Sequence, residues 1–172
     1  MMTTRRKPGF TLVELIIVVA ILVMMLAVAM PLFFQVIAQR KLTGAVARVA
    51  ADLRYVQSHA VTQGGLFRVH HGDDAGQAGK YRLEQSSDGG TTWVATPGQS
   101  AWISLSSEYQ GSSLQSIKDN DGAGATRFWV RFNAQGAADN PGFTYPIKLT
   151  VVAQSGATGT VTVLRTGAVR VP

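Results

Sequence analysis

The sequence predicts an α+β fold in which one long N-terminal helix packs on an antiparallel β-sheet domain. Apolar residues recur at helical spacing as far as Gln63, and the pattern changes to alternation after Gly65. All but two of the 18 glycines lie beyond residue 63. Since glycine commonly marks turns, the second part is expected to be short strands joined by turns. A helix followed by a series of antiparallel strands is an α+β arrangement.

An uncharged apolar run forms the first part of the helix. The twenty residues from Leu15 to Phe34 carry no charge, and a helix of that length spans about 30 Å, the thickness of a bilayer core. Three basic residues at positions 5–7 precede the run. By the positive-inside rule they favour a cytoplasmic N-terminus. We therefore expect a single membrane-spanning segment at about residues 12–34.

A cleaved secretory signal peptide is the alternative for this region. Basic residues, an apolar stretch and Ala27-Val28-Ala29 match its three parts. However, the stretch from Phe10 to Ala29 is longer than the roughly 7 to 15 residues usual for such a peptide. Glu14 near its front would also be unusual. The spanning helix is therefore favoured.

The helix continues beyond the membrane as an amphipathic stem. One apolar stripe recurs at alternating spacings of four and three, and it is expected to face a sheet. Gly64-Gly65 is expected to end the helix. The stripe consists of Leu42, Val46, Val49, Leu53, Val56 and Ala60, while Arg48, Arg54 and Gln57 are expected to face elsewhere.

Alternating apolar and polar residues predict strands after Gly65. The last two long strands are expected to form a hairpin across residues 153–159. The aromatic residues Phe128, Trp129 and Phe132 are expected to fill the core. The predicted strands are 66–70, 80–84, 101–105, 127–132, 147–152, 160–164 and 168–171.

Composition excludes several classes of function. The formal net charge is +6, but three of the 16 basic residues lie before Phe10, which leaves 13 against 10 acidic residues. That balance is mild, so the high pI alone does not argue for nucleic acid, and nucleic acid is not an expected partner. Cysteine is absent, so disulfides and thiolate chemistry are excluded. No catalytic triad, phosphate loop or metal-ligand pattern is recognisable. We expect neither an enzyme nor a cofactor or metal.

Residues 7–14, Lys-Pro-Gly-Phe-Thr-Leu-Val-Glu, resemble the recognition site of type IV prepilins and type II secretion pseudopilins. The family pattern is a short basic leader ending in glycine, a phenylalanine, a glutamate four residues later, and an apolar helix. Every part is present here. The resemblance implies cleavage between Gly9 and Phe10 by a membrane-embedded prepilin peptidase. N-methylation of Phe10 is implied to follow.

The resemblance also gives Glu14 and Pro31 expected roles. A carboxylate at mid-bilayer costs about 3 kcal/mol, and less near the interface. After cleavage, the Glu14 carboxylate of one subunit can neutralise the Phe10 amine of a neighbouring subunit. Each charge then has a partner only in an assembled filament; the alternative is that Glu14 extends to the headgroups. Pro31 is expected to kink or loosen the helix, as the family's proline does at this point, or simply to mark the membrane exit.

The second half resembles the GspH/FimT group, which comprises pseudopilin H of type II secretion and FimT-like minor pilins. Residues 131–136, Arg-Phe-Asn-Ala-Gln-Gly, and residues 166–171, Thr-Gly-Ala-Val-Arg-Val, carry this resemblance. The implied domains are a leader at 1–9, a stem helix at 10–63 and a periplasmic β-rich domain at 64–172. The implied location is the bacterial inner membrane before assembly. The N-terminus is then cytoplasmic.

The resemblance implies a minor pseudopilin of the type II secretion system, at or near the tip of a periplasmic pseudopilus. Its expected partners are prepilin peptidase and other pseudopilins or pilins. The first alternative is a type IV pilus minor pilin that serves pilus assembly or DNA uptake. The second is a membrane-tethered periplasmic binding domain that never polymerises.

Four local motifs are further candidates for a site. Residues 86–93 match the Asp-box pattern and are expected to form a turn. His70 to Asp74 are expected to be a solvated loop, because adjacent strand histidines point to opposite faces. Residues 119–122 lack the ligands of an EF-hand loop at its first and last positions. Arg165 and Arg170, with Arg127 and Arg131, are weak candidates for DNA contact, because the group's Gly-Arg-x-Arg motif is here Gly-Ala-Val-Arg.

Overall fold

A computed structural model describes residues 10–72, 76–99, 101–120 and 129–172. The chain divides into two compact units, the first ending at Ile37 and the second running from Ala38 to Pro172. One helix, α1 (Leu12–Gln63), contributes residues to both. The leader residues 1–9, and with them Gly9, lie outside the described residues.

Helix α1 ends at Gln63, and the chain changes direction at Gly64. Gly64 has a φ of +66°, a conformation that residues with a Cβ rarely adopt. The Gly65 amide donates to the Ala60 carbonyl at 3.2 Å, which satisfies one carbonyl of the last turn. The chain then enters the first strand.

Within the described residues, nine strands and one short helix follow, and the strands form two antiparallel sheets in the second unit. Sheet A has the order β3-β2-β1-β6, with β4 also paired to β2, and sheet B has the order β5-β7-β8-β9. The elements are β1 (Leu66–His71), β2 (Lys80–Ser86), β3 (Val94–Ala95), β4 (Ile103–Ser104), α2 (Leu105–Glu108), β5 (Ser113–Lys118), β6 (Trp129–Phe132), β7 (Ile147–Val152), β8 (Thr158–Val163) and β9 (Val169–Arg170). The fold class predicted from the sequence is confirmed.

The predicted helical stripe is buried against both sheets, as expected. Its six residues all belong to the core, together with the inward-facing residues of β1, β2, β6, β7 and β8. Burial within β1 alternates strictly, so Phe67, Val69 and His71 point inward. The helix therefore shares one hydrophobic core with both sheets.

A buried polar pair also joins α1 to sheet A. Asp52 is buried on the helix, and the Tyr81 hydroxyl donates to its Oδ2 at 2.6 Å. Arg48, one turn earlier, donates from Nε to the same oxygen at 3.2 Å. Burial, followed by the Asp52 charge, raises the pKa of the Tyr81 phenol, which keeps it protonated as the donor. The bond links α1 directly to sheet A.

Some sequence predictions were wrong in detail. Strand β5 was not predicted, and Leu105 begins α2 rather than ending a strand. Trp129 points away from the core, whereas Phe132 fills it as expected. His70 and His71 belong to β1 and not to a solvated loop, and His71 is buried. Phe128, Asp73 and Asp74 lie outside the described residues.

Candidate assembly site and the polar face of the globular unit

The N-terminal end of α1 carries the candidate assembly residues. Phe10 is 81% exposed, and Glu14 is exposed in the first turn of the helix. The Glu14 amide donates to Thr11 Oγ1 at 3.2 Å, and the Leu15 amide donates to the Thr11 carbonyl at 3.2 Å. Thr11 therefore caps the helix. The Glu14 side chain lies in the first turn, at the positive end of the helix dipole.

The rest of the first unit presents apolar side chains on every side. Large hydrophobic residues from Phe10 to Val36 are exposed, most of them by half or more of their surface. The apolar part of this helix has a mean hydropathy of 3.1. By length and composition, the helix is long and apolar enough to cross a membrane. A helix that is hydrophobic all round requires lipid or other protein around it. Pro31 lies inside this part of α1.

The two sequence segments that resemble the GspH/FimT group meet in the second unit. Gly136 follows β6 in a turn, and Gly167 lies in the turn between β8 and β9. Both have a positive φ, of +74° and +88°. A Cβ on Gly167 would overlap the Gly136 carbonyl oxygen and the Gln57 amide nitrogen. The Gln57 Nε2 donates to that same oxygen at 2.7 Å. These segments thus form a junction between α1, sheet A and sheet B.

Neighbouring bonds extend this junction. The Ala138 amide donates to the Arg165 carbonyl at 3.1 Å, and Arg54 Nη2 donates to the Val169 carbonyl at 3.2 Å. The sequence predicts that Arg54 and Gln57 face elsewhere than the stripe, and Arg54 is exposed. Both side chains nevertheless bond to backbone carbonyls of the second unit. The sequence alone shows that these two residues lie between stripe residues, but not which carbonyls they contact.

The residues proposed for DNA contact are divided between the sheets. Arg165 and Arg170 are exposed, in the last turn and in β9 of sheet B. Arg131 lies in sheet A, where it donates from Nη2 to Asp139 at 2.8 Å. Arg127 lies outside the described residues. The geometry brings no basic patch together from these residues in the described part of the chain.

The Asp-box segment forms the turn predicted for it. Asp88 Oδ1 accepts from the Thr92 amide at 2.8 Å and from the Thr91 amide at 3.1 Å. Ser86 Oγ donates to the same oxygen at 2.7 Å. Hydrogen bonds from Thr92, and then from Ser86, lower the pKa of Asp88 well below its ordinary range. The turn holds Trp93, whose Nε1 donates to the Gly90 carbonyl at 3.0 Å.

Arginine and tryptophan side chains cover the side of sheet A opposite the core, which we call the Arg–Trp face. The Arg68 guanidinium carbon lies 4.1 Å from the centroid of Trp93, and that of Arg82 lies 4.9 Å from Trp102. Such stacking is a cation–π arrangement. The face comprises Arg68, Arg82, Arg131, Trp93, Trp102 and Trp129.

Glu84 is the buried acid beneath this face. Its side chain is 1% exposed. It accepts hydrogen bonds from Arg68 Nε at 2.6 Å, from Arg82 and from His70 Nδ1 at 3.3 Å. Burial alone would raise the pKa of Glu84, but the bonds from His70, Arg82 and Arg68 outweigh it and lower the pKa to about 2. The carboxylate is therefore charged at neutral pH.

This depressed pKa predicts a pH-dependent contribution to stability. Because the folded pKa lies below the ordinary 4.5, the contribution is fully present above about pH 5 and is lost as the pH falls towards 2. Glu84→Gln should lower the free energy of unfolding by about 3 kcal/mol above pH 5. The difference from the wild type should shrink towards pH 2. Urea unfolding of both proteins across this range measures it.

Glu108→Gln is the matched control, because Glu108 is exposed. Its stability should follow that of the wild type at every pH. A Glu84→Gln protein whose deficit is the same at pH 2 and pH 6 would contradict the assigned pKa shift.

The histidines and acids do not gather into a metal site. Among the described residues, no three His, Asp or Glu side chains lie together as possible ligands. His70 and His71 point to opposite faces, and His71 Nε2 donates to the Leu114 carbonyl at 2.8 Å. Asp121 and Gly122 of the possible calcium loop lie outside the described residues.

An open cavity of about 620 Å³ lies where α1 ends. Its lining residues are glycines, residues with amide or hydroxyl side chains, and Leu66, Phe67 and Ala134, and none of them is acidic, basic or a histidine. This cavity offers no group for acid–base chemistry.

Models of known protein families match two regions of the chain. A model for the prokaryotic N-terminal methylation motif matches residues 4–30. A model described as Type II transport protein GspH matches residues 45–167, well over half of the chain. The chain belongs to the GspH family. The resemblance to type IV pilins and pseudopilins of the GspH/FimT type is thereby confirmed. This family consists of structural pilins and pseudopilins.

Solved structures share the fold of this GspH-family chain. The minor pseudopilin EpsH from the Type 2 Secretion System of Vibrio cholerae is similar with a TM-score of 0.54 and 15% identity, over 77% of this chain and 96% of that one. The type IV minor pilin FimU of Pseudomonas aeruginosa PAO1 is similar with a TM-score of 0.53 and 12% identity, over 78% of this chain and 90% of that one. No sequence match was found among curated proteins.

Proposed function

We propose that this GspH-family protein is a minor pseudopilin of a type II secretion system, assembled at or near the tip of a short periplasmic filament. It is anchored in the inner membrane by residues of about 12–34, with the N-terminus cytoplasmic and the globular unit periplasmic. It acts by assembly and not by catalysis. The observation that carries the proposal is one chain with both the N-terminal methylation motif and the GspH-type region.

In this proposal the leader is removed between Gly9 and Phe10, and the new Phe10 amine is methylated. The exposed first turn of α1 then presents a cation and the Glu14 carboxylate on the same apolar segment. Isolated in lipid, each is costly, whereas neighbouring subunits can pair the Glu14 of one with the amine of the next. Pro31 provides a point at which the stem can bend.

Processing is tested by substitution at the cleavage site. Gly9→Leu should block removal of the leader, because the leader of the family pattern ends in glycine. Mass spectrometry of the purified protein should then show a chain that still begins at its leader, while the wild type begins at a methylated Phe10. Thr4→Ala, inside the leader, is the control and should be cleaved normally. Normal cleavage of Gly9→Leu would remove the proposal.

The second candidate is a minor pilin of a type IV pilus. It is supported by the fold, which is about as similar to that of FimU as to that of EpsH. Deletion of the gene, followed by assays of protein export, surface pili and transformation, distinguishes the two. Loss of export alone supports type II secretion. Loss of pili or transformation with normal export supports the pilus. A membrane-tethered domain that never polymerises would instead leave both filaments unaffected.

A further inference from the structure

We propose that the Arg–Trp face is a docking surface for an acidic segment of another protein, whose carboxylates bind the amino groups of Arg68 and Arg131. The surface lies on sheet A in the second unit. It does not depend on the stem helix and holds whether or not the protein forms a filament.

The residue types on this face are those that dominate protein interfaces. All three tryptophans of the chain are on it, together with three arginines. Tryptophan and arginine are the side chains most enriched at binding hot spots. The side chains of Arg68 and Arg131 are 15% and 14% exposed, so each is mostly buried but still reaches solvent.

The arginines keep hydrogen-bond donors that the protein does not use. Arg68 donates to Glu84 through Nε, and within the described ranges its two terminal amino groups have no acceptor. Arg131 uses Nε and Nη2 on Asp139, which leaves Nη1. Stacking on Trp93 fixes the plane of the Arg68 guanidinium. A guanidinium held in this way binds a carboxylate without losing further side-chain freedom.

The charges on the Arg–Trp face indicate which charge the partner carries. Arg68 and Arg131 are directly opposite each other on β1 and β6, an arrangement of like charges that destabilises a sheet. Among the described residues, the three arginines of the face form ion pairs with two acids, Glu84 and Asp139, so positive charge is in excess. A carboxylate placed between Arg68 and Arg131 would relieve this repulsion, so the complementary partner is acidic.

A protein segment fits better than single-stranded nucleic acid. Nucleic-acid bases bind by stacking on free aromatic faces, but guanidinium groups already lie over Trp93 and Trp102. Glu84 and Asp139 also reduce the positive potential that a phosphate backbone requires. Carboxylates need neither free ring faces nor a strongly basic groove.

The test uses the full chain in detergent micelles and a polyglutamate decapeptide as the probe. Since every tryptophan lies on this face, binding should change the intrinsic tryptophan fluorescence in a saturable manner. Arg68→Gln combined with Arg131→Gln should weaken binding at least about tenfold. The matched control is Lys118→Gln with Lys148→Gln, an exposed pair opposite each other on sheet B that removes the same charge. It should bind like the wild type.

Several results would overturn the proposal. They are an equal loss in the lysine control, an absence of any saturable change in the wild type, or tighter binding of an oligothymidylate strand than of the peptide. If circular dichroism shows that the double arginine variant is unfolded, Arg131→Gln alone is compared with Lys148→Gln. A loss of binding of about fivefold in the first and none in the second is then expected.

Discussion

Glu14→Lys is expected to abolish incorporation of the subunit into a filament while leaving leader cleavage intact. In the proposed assembly, the Glu14 carboxylate neutralises the Phe10 amine of a neighbouring subunit inside lipid. The substitution places two cations together where an unpaired charge costs about 3 kcal/mol. Incorporation should therefore fall by about a hundredfold or more. Chemical cross-linking to the other filament subunits in cells, with quantification of the product, measures this loss.

Two further variants separate the charge from the shape of the side chain. Glu14→Gln keeps the shape and removes the neutralising charge, so its loss should be large but smaller than that of Glu14→Lys. Glu108→Lys makes the same charge change at an exposed position of the globular unit and should assemble normally. Incorporation of Glu14→Lys at the wild-type level would favour the tethered, non-polymerising domain.

Gly167→Ala is expected to destabilise the globular unit by about 2 to 4 kcal/mol. Gly167 has a φ of +88°, and a Cβ there would overlap the Gly136 carbonyl oxygen and the Gln57 amide. The junction of α1 with both sheets would have to open to make room. Urea unfolding of the full chain in detergent, followed by circular dichroism, measures the change.

Gly156→Ala is the matched control for this substitution. Gly156 also lies in a hairpin turn of sheet B, with a φ of +81°, but a Cβ there would meet no atom within 4 Å. It should cost only the backbone strain, about 1 kcal/mol. Equal losses in the two variants would show that backbone conformation, and not the close approach at the junction, makes Gly167 necessary.

The sequence predicted those parts of the fold that depend on periodic burial. The helical stripe from Leu42 to Ala60 repeats often enough to identify both the helix and its buried side. Strands β1, β2 and β7 alternate clearly for the same reason. Strand β5 was missed because its segment, Ser-Leu-Gln-Ser-Ile-Lys, carries few apolar residues and includes a register shift between Leu114 and Ser116.

The polar contacts could not be predicted, because they depend on which strands become neighbours. Trp129 has the spacing of a core residue, yet it lies on the Arg–Trp face near Arg131. Asp52 lies among stripe residues, and its bond to the Tyr81 hydroxyl forms only because sheet A brings Tyr81 to it. The N-terminal candidates were recognisable because their pattern is contiguous in the chain.

The position at which α1 begins to be buried has a mechanical consequence. The large hydrophobic residues of α1 are exposed up to Val36, and its first core residue is Leu42. The described core of the second unit therefore begins at Leu42 on this helix. In the proposed assembly, withdrawal of the apolar segment from lipid would remove no residue of that core, so we expect the globular unit to stay folded during extraction.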